Sequence, residues 1–176
     1  PDEGETNRNG LKDIFIQRLG ESGDEIFFSR IGGSGNEELA HTAIENNDGT
    51  LEFTGFTLSR DRDFDNIQTP EGFAHILIKT NSSGELISAF DLNEGKTNSQ
   101  NPNEWIDIEG EQIIELSNSN KLIVGGDRNY DKSTNRNEDG VAMALFDNQN
   151  NLIWKKFYKT DIYYFYNNYG GNVLEL

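Results

Sequence analysis

The chain has 176 residues and a formal net charge of -16, from 31 acidic against 15 basic side chains. Such a surface repels phosphate backbones and anionic headgroups, so neither nucleic acid nor direct membrane insertion is expected. Cysteine is absent, which removes disulfides, thiolate metal sites and cysteine catalysis.

The hydrophobic share is low, at 34%, yet 11% of the residues are aromatic and the apolar positions alternate regularly. A disordered chain lacks the aromatic and β-branched residues that offset ordering entropy. Residues 1–10 are polar and acidic and read as a flexible lead-in. A first repeat, residues 11–71, opens with the apolar run Ile14-Phe15-Ile16. It turns at Glu21 to Asp24 and returns through Ile26-Phe27-Phe28 to Ile31. The link Gly32-Gly33-Ser34-Gly35-Asn36 leads to a second hairpin, Thr42 to Glu45 and Leu51 to Gly55, turning at Asn46-Asn47-Asp48-Gly49. Only Glu37 to His41 has the composition of a helical turn, too short to stand alone.

Residues 72–139 repeat the pattern. Ala74 to Ile78 and Leu86 to Phe90 flank the turn Asn81-Ser82-Ser83-Gly84, and Gln112 to Leu116 is followed by Leu122 to Gly126. In the third repeat, residues 140–176, Val141 to Phe146 and Leu152 to Trp154 match the first hairpin type. The second type returns as Tyr163 to Tyr166 with Val173 to Leu176. Three units of four short antiparallel strands predict an all-β fold of three β-propeller blades, a partial ring completed by more chain or by self-association. An open solenoid or three-sheet prism is the alternative arrangement.

Asp61, Asp63 and Asp65 alternate along one loop, and Asp127, Asn129 and Asp131 along the equivalent loop of the next repeat. That spacing can aim several oxygens at one calcium ion; the plain alternative is two solvated acidic loops. Trp105, in the long segment 92–110, is either an exposed anchor for a sugar ring or partner protein, or a plug packed on the sheet. Trp154, on a strand, reads as core. Tyr164 and Tyr166 belong to an aromatic strand that is either buried between blades or left open for the next blade or subunit. His41 and His75 lie in different repeats without matching ligands, which supports neither a zinc site nor a catalytic triad.

The segments Asp13 to Leu19, Gly32 to Glu38, Asn47 to Thr50 and Gly55 to Ser59 together resemble a bacterial propeller-type repeat family of secreted and surface proteins in the Bacteroidetes group. Repeat two departs from that pattern at Asp91 to Gly95, and repeat three lacks the Gly-rich linker. The resemblance implies an extracytoplasmic, non-enzymatic binding, adhesion or scaffold module that meets a surface protein or glycan through the loops 57–71, 92–110 and 126–140. The acidic start Pro1 to Glu5 is similar to the stretch after the lipidated cysteine of surface lipoproteins in that group. A glycan-active enzyme or its lectin accessory domain is the second reading, and a subunit of a larger surface assembly the third.

Overall fold

The structure, a computed structural model, describes residues 12–68, 73–93, 104–106, 112–131 and 136–159. Within them the chain is all-β, with every strand pair antiparallel. The strands are β1 (Ile14–Leu19), β2 (Glu25–Ile31), β3 (Glu37–Glu45), β4 (Leu51–Thr57), β5 (Ala74–Thr80) and β6 (Leu86–Asp91). There follow β7 (Glu104–Ile106), β8 (Gln112–Glu115), β9 (Lys121–Asp131), β10 (Arg136–Phe146) and β11 (Leu152–Lys159), and a 3-10 turn at Arg62–Phe64 lies between β4 and β5. Among the described residues no helix is long and apolar enough to cross a membrane.

Among the described residues, one turn chemistry closes five hairpins. Each closes with two backbone bonds, as in Asn46 N–H to Thr50 O and Gly49 N–H to Asn46 O, repeated at Gly20, Asn81, Leu116 and Asp147. This geometry puts the fourth residue of each turn in the left-handed region, where Gly23, Gly49, Gly84, Ser119 and Asn150 stand. Side chains reinforce the turns. Asn81 Oδ1 accepts the N–H groups of Ser83 and Glu85, and Asp147 Oδ1 those of Gln149 and Asn151. The Thr50 hydroxyl, then its N–H, holds the Asp48 carboxyl below its ordinary range; the Asn151 side-chain amide, then its N–H, does the same for Asp147. Ser119 pays the left-handed penalty that glycine avoids, since its φ is 62°. Ser119→Gly is therefore expected to stabilise the protein by about 0.5–1 kcal/mol in chemical denaturation.

The hydrogen-bonded sheets are phased two strands later than the sequence repeats. The repeats place boundaries between residues 71 and 72 and between 139 and 140, but strand pairing runs across both. β4 pairs with β5 from Leu51 opposite Thr80 to Thr57 opposite Ala74, and β9 pairs with β10 along its whole length. The result is a two-stranded sheet β1-β2, a central meander β3-β4-β5-β6, and a sheet β11-β10-β9 whose far edge is shared by β7 and β8. The physical reason lies in residues 32–35, whose amides bond to side chains and carry the chain out of the first sheet. Glu37 to His41, helical in composition, lies in β3 because its backbone pairs with β4, with Leu39 opposite Gly55. A Cβ on Gly55 would run into the Glu38 carbonyl, so close pairing there depends on glycine.

The central sheet is covered on both faces. On one side Phe53, Ile76, Ile78 and Ala89 pack with Ile14 and Ile31 of the first sheet and with Phe64 and Ile67 of the loop after β4. On the other, Leu77 and Leu92 pack with Ile113, Ile123, Ala142, Ala144 and Phe146 of the third sheet. Two-sided burial explains why β5 reads as the near-continuous apolar run Ala-His-Ile-Leu-Ile rather than as strict alternation. The outer sheets turn apolar side chains away from the centre. Phe15, Leu19, Ile26 and Phe28 of β1 and β2 are 61%, 53%, 60% and 43% exposed. In the third sheet, Leu145 stands opposite Leu122 on one side and Trp154 on the other, on the face away from the buried Ala142 and Ala144.

Candidate functional site

Two polar constellations and one strand extension stand out. The first is a knot around the link from β2 to β3. Four consecutive backbone N–H groups each meet a side-chain acceptor: Gly32 bonds Asp63 Oδ2 at 2.9 Å, and Gly33 bonds Glu37 Oε2 at 3.2 Å. Ser34 bonds Asp61 Oδ1 at 2.9 Å, and Gly35 bonds Ser59 Oγ at 2.8 Å. Glu37, 1% exposed, also accepts the hydroxyls of Thr57 and Ser59 on Oε1. A Cβ on Gly33 would collide with Ser59 and Asp61, so the approach requires glycine. The knot attaches the first sheet to the second. The Ser59 hydroxyl donates a hydrogen bond to Glu37 and accepts one from Gly35, and at 1% exposure its oxygen is enclosed by these partners.

Two of the first three aspartates are acceptors in this knot. Asp61 and Asp63 face backbone N–H donors, and Asp65 closes the 3-10 turn at its C-terminal end. Among the described residues no group of three or more His, Asp or Glu side chains is arranged to hold a metal ion. The described part of the loop, residues 58–68, is less free than its polarity implies, because its own Phe64 and Ile67 are buried in the core.

Asp127, Asn129 and Asp131 occupy alternate positions of β9 rather than a loop, since β9 runs on to Asp131 and β10 starts at Arg136. Backbone pairing on both sides sustains this extension: β10 pairs along one edge and β7 along the other, with Trp105 opposite Tyr130. Apolar alternation stops at Gly126, so the sequence carries no periodic signal for the extra strand length. Trp105 thus sits on a short strand and not in an irregular loop. Tyr164 and Tyr166, with the hairpin 163–176 and the lead-in 1–10, lie outside the described residues. Trp154 is half-buried rather than fully enclosed, with the Lys156 ammonium 4.9 Å from its ring centroid. His75 lies in β5, where its carbonyl accepts the Leu92 N–H at 2.7 Å.

The second polar constellation was missed in the sequence. Glu52 of β4, fully buried, lies 2.5 Å from Lys121 of β9 and 3.1 Å from Lys79 of β5. Lys121, its side chain 4% exposed, also donates to Asn150 Oδ1 at 2.8 Å, and Asn46 Nδ2 donates to Glu52 Oε1 at 3.2 Å. The available signal was Glu52 itself, a charge between the apolar residues Leu51 and Phe53 in a strand covered on both faces.

Compared with known proteins, the chain matches no family model and no curated protein significantly.

Proposed function

We propose that the chain is a set of propeller blades forming an extracytoplasmic, non-enzymatic binding or scaffold module, secreted or at a bacterial surface. The observation that carries this reading is the stacking of sheets face to face in chain order, with the middle sheet covered on both sides. Each complete sheet combines a hairpin of the Thr42 type with the following hairpin of the Ala74 type: β3-β4 with β5-β6, and β8-β9 with β10-β11. By that rule β1-β2, an Ala74-type hairpin, needs a Thr42-type mate, and the sequence has one spare at 163–176. In this reading the 163–176 hairpin of one copy adds its last strand beside β1 of a second copy. Two copies then supply six sheets, within the roughly four to eight blades that close a ring. The outward residues Phe15, Leu19, Ile26 and Phe28 become the seam between blades.

Contacts to a protein or glycan partner come from β7 and the distal halves of β9 and β10, with Trp105 as the anchor. Sedimentation equilibrium tests the architecture. A mass of two chains is expected, and Val173→Pro, which takes a backbone N–H from the strand proposed to pair with β1, reduces it to one. A wild-type monomer would count against the closed pair. Glycan-array and surface-capture binding, each repeated with Trp105→Ala, test the contact surface; unchanged binding would remove Trp105 from it.

A further inference from the structure

The buried pair Glu52 and Lys121, together with the partly buried Asn150, holds the three functional groups of a self-forming amide cross-link. Lys121 places its amine 2.8 Å from the carboxamide oxygen of Asn150, and the electrophilic carbon lies one bond beyond. Glu52 Oε2 is 2.5 Å from the same nitrogen. Its other oxygen is occupied by Lys79 at 3.1 Å and by Asn46 at 3.2 Å, which fixes the carboxylate and leaves Oε2 to Lys121. With Glu52 fully buried and the Lys121 side chain 4% exposed, bulk water is kept from the carboxylate and the amine, while Asn150 at the turn is only partly covered. Held together in this way, an amine and an amide react as parts of one molecule, and orientation replaces concentration.

We propose that Lys121 and Asn150 form an intramolecular isopeptide bond, with Glu52 as the catalytic proton carrier. Glu52 takes one proton from the Lys121 ammonium and becomes a carboxylic acid, leaving a neutral amine. The amine lone pair forms a bond to Cγ of Asn150, and the C=O π pair moves to Oδ1. Collapse restores the carbonyl and breaks the Cγ–Nδ2 bond, with Nδ2 taking the Glu52 proton and leaving as ammonia. Nζ returns its surplus proton to Glu52, which passes it to the departing ammonia and is a carboxylate again. The products are one secondary amide and one ammonium ion, with no oxidant or other reactant consumed. The bond ties the start of β9 to the β10–β11 turn, next to the seam between the second and third sheets.

Intact-mass spectrometry of the purified chain under denaturing conditions tests this. The expected result is a mass short by one ammonia and, after proteolysis, a branched peptide joining Lys121 to Asn150. Lys121→Arg and Glu52→Gln should each restore the full mass. The wild-type measurement decides the matter even if a variant fails to fold. A full wild-type mass overturns the proposal, and so does an ammonia deficit without the branched peptide, because a succinimide at another asparagine gives the same deficit.

Discussion

Replacing either Ile76 or Leu77 with alanine is expected to destabilise the protein by about 2–5 kcal/mol, although the two are adjacent on one strand. In a sheet with one covered face, neighbours alternate between core and solvent, and only one of the pair would be costly. Here both are fully buried, Ile76 among Ile14, Ile31 and Phe64, and Leu77 against Ile113, Ile123 and Ala144. Each truncation opens a cavity in a different interface, so the first weakens attachment of β1-β2 and the second that of the C-terminal sheet. Ile87, on β6 and 54% exposed, supplies the control, and its alanine variant should stay within about 0.5 kcal/mol of wild type. Urea denaturation of the three variants is sufficient. If Leu77→Ala proves as mild as Ile87→Ala, the second and third sheets do not stack as described.

Glu37→Ala is the other large effect, at about 3 kcal/mol or more. The substitution strips an acceptor from the Gly33 N–H and from the Thr57 and Ser59 hydroxyls at once, inside a region that water does not reach. Each buried donor left without a partner costs roughly 1–3 kcal/mol, and the three are coupled, so the sum is less than additive. Glu37→Gln retains one carbonyl acceptor and should lose about 1–2 kcal/mol. Hydrogen exchange at the Gly32 to Gly35 amides gives a local readout, since protection there should fall in Glu37→Ala before the central sheet opens. Unchanged protection at these amides would mean that the knot does not hold the linker.

The hairpins were legible because their causes are local. Asn46-Asn47-Asp48-Gly49 and Asn81-Ser82-Ser83-Gly84 combine a side chain that binds its own turn with a glycine for the left-handed position, and flanking apolar residues mark the strands. Even the Ser119 and Asn150 turns, which lack glycine, fall where the expected hairpins put them. The extension of β9 and β10 left no such mark, for apolar alternation is missing from its sequence and its strands are paired through neighbouring backbone. The alternating aspartates at 61 and 63 were legible as a cluster but not as acceptors for Gly32 and Ser34, because those partners lie about thirty residues away in the chain.

Chain composition and turn residues were thus enough to establish an antiparallel all-β protein, its hairpin positions and its apolar strands, since each depends on neighbours a few residues apart. Which hairpins share a sheet, which side of β5 meets which layer, and the meeting of Glu52 with Lys121 and Asn150 were decided only by the tertiary structure. A strand edge can accept many partners of similar pattern. The choice among them is made by burying both faces of the central sheet together and by giving every amide of the Gly32 to Gly35 link an acceptor, and both conditions bring together residues distant in the chain.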